Sequence, residues 1–246
     1  MPYVNEQQIA VHKKILDFHN NTNISLVNGY VYYAIDKVAN SSIKNALFHI
    51  EYGKVKKEPL SLYDERCSPL LSPYQLPTDM LKNALNSGNY FRFAFVRNPY
   101  SRLLSCYLDR ILTATSRPRR QLNISLKAQG LGTGEVSFET FIRTICEQTS
   151  PQQNSHWRVQ ADDVAHPVLE LDYIGKFESL WDDMRTLSKE IWGEVRPEMA
   201  IEGVNKSPKA TNASDRLKQY YTPELAGLVA ERYSADFELF GYETKM

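Results

Sequence analysis

At 246 residues the chain is long enough for one large core, and its 42% hydrophobic and 24% charged residues are those of an ordinary globular protein rather than a fibrous or disordered one. Basic and acidic residues balance at 29 each, which argues against a nucleic-acid coat protein but leaves room for a local anion site. No apolar run approaches the roughly 18 residues of a membrane helix. The polar start, MPYVNEQQIAVHKKILDFHNN, lacks a signal-peptide core. Cys67, Cys106 and Cys146 show no paired or metal-ligand spacing, so the expected setting is a reducing cytoplasm.

Residues 6–18 carry a modest helical pattern and lead to a polar Asn-rich turn at Asn20–Asn23. The organisation expected is one domain over 1–246, with 1–28 as a helical extension. Tyr30 to Ile35 is aromatic and β-branched, a buried strand. A short polar loop follows, from Asp36 to Ser42. Ile43, Ala46, Leu47 and Ile50 then recur at i, i+3, i+4 and i+7, one face of a helix, with Ser41 or Ser42 as the natural N-cap. Lys37 and two serines therefore stand at a helix N-terminus, where unpaired amides and the helix dipole favour an anion. The competing reading is a capped junction with a solvated lysine. The glycines of a Walker A loop are missing.

Residues 51–77 read as an irregular connection carrying Pro59, Pro69, Pro73 and Pro77. Thr78 can cap a short helix with Met80, Leu81, Ala84 and Leu85, ending near Gly88. Tyr90 to Val96 is a second apolar strand. Asn98 can cap the next helix and Pro99 suits its first position. Tyr100, Leu103, Leu104, Tyr107, Leu108, Ile111 and Leu112 form its apolar stripe, with Ser105 at the edge facing a groove. Arg97, at the strand end, can clamp a phosphate through two parallel hydrogen bonds; the alternative is a surface ion pair.

Residues 113–135 form the longest stretch without an evident element, and Arg117, Arg119, Arg120 and Lys127 make it basic. It reads either as a mobile surface loop or as a loop closing over an anionic substrate. Ser137 opens a helix with Phe138, Phe141, Ile142 and Ile145 on one face. Leu169 to Glu178 reads as a strand and turn, and Leu180, Met184, Leu187 and Ile191 stripe the following helix. The aromatic ending, Tyr233 to Tyr242, reads as a helix and turn packed on the core.

The pair "K-V-A-N-S-S-I-K … F-V-R-N-P-Y-S-R-L-L-S-C-Y" resembles the two cofactor loops of sulfotransferases that use 3′-phosphoadenosine 5′-phosphosulfate (PAPS). The likeness is to the chondroitin-type Golgi carbohydrate sulfotransferases and their soluble bacterial relatives. "H-W … H-P … L-D-Y-I-G-K-F-E-S-L-W-D-D-M" and the closing "Y-x-x-D-F-x-x-F-G-Y" pattern are similar to further segments of that family. Asp36 stands where the family usually has proline, and Ala165 and Val168 stand where its secretory members carry cysteines. The resemblance implies an α/β fold of P-loop-like type, with a central, mostly parallel sheet flanked by helices. It assigns Lys37, Val38, Ala39, Asn40, Ser41, Ser42 and Lys44 to the 5′-phosphosulfate, and Arg97 and Ser105 to the 3′-phosphate. The function implied is sulfuryl transfer to a hydroxyl, most naturally of a carbohydrate, with neither a metal nor a nucleic acid involved.

That chemistry needs in-line positioning, charge stabilisation on the departing phosphate and a base for the acceptor hydroxyl. Lys37 suits the second task. His156 suits the third by its titration range and its place in the His-Trp pair, although a structural histidine under Trp157 reads equally well. Asp36, Glu178 and His49 are the fallback bases. Asp162 and Asp163 read either as an acid/base pair or as solvated loop acids, and Asn205 and Ser207 as loop caps within reach of a ligand. The alternatives are a nucleotide- or glycan-binding module without catalysis and a P-loop-type phosphoryl-transfer enzyme.

Overall fold

The computed structural model describes residues 6–53, 68–200 and 211–245. Its centre is a four-stranded sheet made of β1 (Thr22–Ser25), β2 (Tyr30–Tyr33), β3 (Phe91–Val96) and β4 (Tyr173–Lys176), in that spatial order. β1 runs antiparallel to β2, pairing Thr22 with Tyr33. β2 and β3 are parallel from Tyr30↔Phe91, and β3 and β4 from Phe93↔Tyr173. The β2 side chains are all buried, as a strand covered on both faces requires.

Helices flank this sheet. Before it come α1 (Glu6–Ala10) and α2 (Ile15–Asn21). Between β2 and β3 lie α3 (Asn40–Tyr52) and α4 (Thr78–Asn86). Between β3 and β4 lie α5 (Pro99–Cys106), α6 (Arg117–Ala128), α7 (Phe138–Cys146) and α8 (Gln160–Asp163). After β4 come α9 (Leu180–Trp192), α10 (Pro197–Ala200), α11 (Leu217–Tyr220), α12 (Pro223–Arg232) and α13 (Ser234–Phe240). The expected α/β architecture is present. Strands β2 and β3 are parallel neighbours, so the loops leaving their carboxyl ends meet at one edge, where α/β sheets bind ligands.

Several local expectations differ. Residues 6–18 form two short helices rather than one, broken where Lys13 turns inward and its ammonium donates to the Asp163 carbonyl. The Asn-rich turn is instead the join between α2 and the edge strand β1. There Asn23 is buried, and its Nδ2 donates to the Asn21 and Tyr32 carbonyls, each at 3.2 Å. The segment 22–25 thus belongs to the sheet and not to an extension. Thr78 is the first residue of α4, not its cap, and Met80 faces solvent. The α5 stripe runs through a π-helical turn, Tyr107–Ile111, which leaves Leu112 exposed.

The largest difference is α6, inside the stretch expected to lack structure. The Ser116 hydroxyl caps it by accepting from Arg119 N at 3.0 Å, and Pro118 sits in its first turn. Only Pro118, Leu122 and Leu126 supply its apolar contact, a narrow stripe in a polar sequence. Arg119 is buried and donates to the carbonyls of Ile111, Thr133 and Gly134, so it ties the helix to its flanking loops. At the C-terminus the packing matches expectation: Tyr233, Phe237 and Phe240 are buried, and Tyr100 meets Tyr221 edge to face and Phe237 at a tilt.

Candidate functional site

The loop after β2 is held in an unusual backbone shape. Lys37 and Ala39 are non-glycine residues in the left-handed region, at φ of 71° and 65°. The chain reverses so sharply at Ala39 that α3 starts at Asn40, with Ala39 in the cap position and no side-chain cap. Ser41 and Ser42 therefore lie inside the helix, not at its cap. The Ser42 and Ile43 amides donate to the Ala39 carbonyl at 2.9 and 3.1 Å, and the positive end of the helix dipole at this terminus suits an anion. Ser41 is exposed, Ser42 and Lys44 are buried, and Asn40 Oδ1 accepts from Tyr32 at 3.3 Å. Val38 points into the hydrophobic core, so only its main chain can face a ligand. The Lys37 ammonium is not solvated: it pairs with Asp109 at 2.7 Å, and Asp109 also holds Arg110 at 3.1 Å.

The loop after β3 supplies Arg97. Asn98 caps α5, its Oδ1 accepting from the Tyr100 and Ser101 amides. Arg97 is 5% exposed. Its Nε donates to Ser101 Oγ at 2.9 Å and its Nη1 to the Lys37 carbonyl at 3.2 Å, which joins the two loops directly. The guanidinium lies 4.0 Å from the Phe177 ring centroid. Among the described residues Nη2 has no acceptor and no carboxylate forms an ion pair with the group, so the surface ion-pair reading fails. Burial lowers its pKa to about 10, against the attraction of Glu178. A buried cation without a counter-ion is costly unless an anion completes it. Ser105 follows Ser101 by one helical turn, is buried, and accepts from Thr211 at 3.2 Å. Arg97, Ser101 and Ser105 recur at i, i+4 and i+8 along one line. Ser101 was not singled out in the sequence, although that spacing marks it.

His156 lies beside the first loop. Its Nδ1 is 2.8 Å from Asn154 Oδ1 and 3.3 Å from Asp36 Oδ2, and Ser155 Oγ donates to Asp36 at 2.6 Å. Asn154 is turned by Gln121 on α6, to which its Nδ2 donates at 2.7 Å. Both neighbours of Nδ1 are acceptors, so Nδ1 carries the proton and Nε2 keeps a lone pair. Nε2 has no partner among the described residues. Burial holds the imidazole below its usual pKa, opposed by Asp36 and assisted by Arg110, Lys37 and Arg102. Burial would raise Asp36, but His156, the Ser155 hydroxyl, Arg102 and Lys37 together bring it below the ordinary carboxylate value. Asp36 therefore faces the histidine rather than the anion loop. Trp157 is fully buried and donates to Gln148 at 2.8 Å.

Arg102, a further residue that the sequence reading left without a role, braces this arrangement. It is 1% exposed and donates to the carbonyls of Asp36 at 2.9 Å, Arg158 at 2.6 Å and Ser155 at 2.8 Å. The other fallback groups lie elsewhere. Glu178 accepts from Asn98 N and from Tyr242, each at 2.9 Å. His49 sits in the last turn of α3. Asp163 is buried in ion pairs with Arg158 at 2.9 Å and Arg102 at 3.3 Å, and Asp162 Oδ1 lies 2.7 Å from His12 Nδ1, so neither is a solvated loop acid. Asn205, Ser207, Cys67 and Pro59 lie outside the described residues. Among the described residues no cluster of His, Cys, Asp or Glu is arranged to hold a metal ion, and no helix is long and apolar enough to cross a membrane.

Two adjoining loops that carry Lys37 and Arg97, beside a histidine whose Nε2 has no partner among the described residues, suit the transfer of an anionic group. A family model described as the Sulfotransferase family matches residues 20–243. The chain belongs to the sulfotransferase family. Among the relatives of this sulfotransferase-family chain is carbohydrate sulfotransferase 14 of Danio rerio, 23% identical and covering 87% of this chain and 59% of the relative. Carbohydrate sulfotransferase 12 of Xenopus laevis is 24% identical over 87% of this chain and 58% of its own length. Carbohydrate sulfotransferase 11 of Mus musculus is 27% identical over 70% of this chain and 51% of its own length. The chain thus spans under two thirds of the length of these relatives. No solved structure gave a significant match.

Proposed function

We propose that this chain transfers a sulfuryl group from PAPS to a hydroxyl of a carbohydrate acceptor. The observation that carries the reading is Arg97, a buried guanidinium bonded to the carbonyl of Lys37 that has, among the described residues, a spare donor and no counter-ion. Arg97 and Ser105, with Ser101, take the 3′-phosphate. Lys37, the main chain of Val38, Ala39 and Asn40, the serines Ser41 and Ser42, and Lys44 take the 5′-phosphosulfate. The acceptor oxygen attacks sulfur as the bond from sulfur to the 5′-phosphate oxygen breaks. The acceptor proton passes to His156 Nε2, while Asp36 and Asn154 hold the opposite nitrogen. The electron pair goes to the phosphate oxygen, whose growing charge meets Lys37 and the α3 N-terminus. For this, Lys37 exchanges Asp109 for the phosphate. The carbohydrate acceptor rests on the names of the relatives, and the free thiols of Cys106 and Cys146 suit a cytoplasmic setting.

The test is ligand-induced thermal stabilisation. Adenosine 3′,5′-bisphosphate at a hundredfold excess over its Kd adds about 2.7 kcal/mol of stability. The wild type should show this shift, Arg97→Ala should lose it, and ATP with Mg²⁺ should produce none in either. Absence of the shift in the wild type overturns the donor assignment. Stabilisation by ATP with Mg²⁺ alone points instead to phosphoryl transfer.

A further inference from the structure

Arg97 stands just beyond the last parallel pair of the sheet, Val96↔Lys176, so its own main-chain groups have no strand partner. They are paired by a side chain instead. Gln160, the first residue of α8, accepts from Arg97 N through Oε1 at 2.9 Å and donates to Arg97 O through Nε2 at 2.8 Å. Behind it lies Asp236 on α13. One Asp236 oxygen accepts from the Gln160 amide at 3.0 Å and from Gln160 Nε2 at 3.1 Å, and the other accepts from Ala161 N at 2.8 Å. Gln160 and Asp236 are both 0% exposed.

A carboxylate can only accept hydrogen bonds, so the carboxamide end beside Asp236 must be the NH₂. Asp236 thereby decides which way Gln160 is turned, and that orientation is the one that matches both main-chain groups of Arg97. The nearby acid attracting the Arg97 guanidinium is Glu178, which is engaged by Asn98 N and Tyr242. A main chain free to shift would let the guanidinium collapse onto that carboxylate. With the main chain held, the guanidinium stays over the Phe177 ring with, among the described residues, one donor spare.

We propose that Gln160 and Asp236 are positioning residues for the anion site: they lock the Arg97 main chain so that its guanidinium stays available to the ligand. The proposal rests on the reading of Arg97 as the 3′-phosphate ligand. It does not give either residue a part in the chemical step. Gln160→Glu replaces the NH₂ with an acceptor, which opposes both Asp236 and the Arg97 carbonyl.

The experiment compares calorimetric Kd values for adenosine 3′,5′-bisphosphate and adenosine 5′-monophosphate, whose ratio is the preference for the 3′-phosphate. It is run on the wild type, Arg97→Ala and Gln160→Glu, each shown to be folded by its melting curve. Gln160→Glu should cut the preference at least tenfold while leaving the monophosphate Kd within about twofold. Asp236→Asn, which keeps the volume, is read the same way and decides the matter if Gln160→Glu does not fold. Equal loss for both ligands means general loosening and overturns the proposal. So does an unchanged preference in a variant when Arg97→Ala abolishes it. A wild type without preference overturns the Arg97 reading itself, and the positioning role with it.

Discussion

Arg102→Lys is the sharpest test of how the site is braced. The guanidinium is buried and meets three carbonyls, those of Asp36, Ser155 and Arg158, as well as the Asp163 carboxylate. Lysine keeps the charge but places its donors at a single point on a shorter reach. It can serve Asp163 and one carbonyl, which leaves two buried acceptors unpaired. At about 1–2 kcal/mol for each, the loss comes to about 2–4 kcal/mol. For a chain of this size, where 1 kcal/mol moves Tm by about 2–4 °C, the melting temperature should fall by about 4–16 °C. Differential scanning calorimetry on the wild type and variant measures it, with the exposed Arg117→Lys as the control that should not move. A shift under 2 °C would refute the reasoning, because the carbonyls that hold Asp36 and Ser155 in place would then have found other donors.

Other outcomes follow from the same geometry. With the neutral His156 ring as the proposed proton acceptor, and its pKa held below the usual 6.5 by burial, the acid limb of kcat/KM should fall below pH 6.5. Asp36→Asn removes an attraction that raises the imidazole pKa, and should move that limb lower still; a limb at or above pH 6.5 counts against His156 as the base. Gly175 faces Phe95 across β3 and β4, and an added Cβ would sit 2.6 Å from Phe95 Cδ1 and 2.8 Å from Cζ. Phe95 is fully buried against Phe93, so Gly175→Ala should destabilise by about 1–3 kcal/mol, read from urea unfolding with an unchanged m-value. No loss of stability would mean that the ring can turn aside.

The features legible in the sequence were those whose causes are local. Tyr30 to Ile35 and Tyr90 to Val96 are dense apolar runs, and Asn98-Pro99 is a helix start whose cap lies within three residues of its donors. The parallel order of β2, β3 and β4 follows from strand–helix alternation. β1 was not legible, because Thr, Asn and Ser become a strand only through β2 on one side and Leu71 on the other. The orientation of Asp36 depends on Ser155 and His156, far along the chain. Arg102 and Gln160 looked like ordinary polar residues until the fold surrounded them with main-chain groups. Ser41 and Ser42 have the right chemistry for a cap, but the left-handed turn at Ala39 moves the helix start ahead of them.

That turn bears on how fast a ligand can be captured. Lys37 and Ala39 occupy a region of backbone space where glycine sits freely and where other residues give up about 1–2 kcal/mol. A glycine-rich loop would be easier to fold into this shape and far looser once there. With side chains at these positions, the disorder of the loop is removed while the protein folds rather than at the moment an anion arrives. For an anion bound at this loop in the proposed way, the main chain is already in place, and the change left to make is the exchange of Asp109 by the Lys37 ammonium.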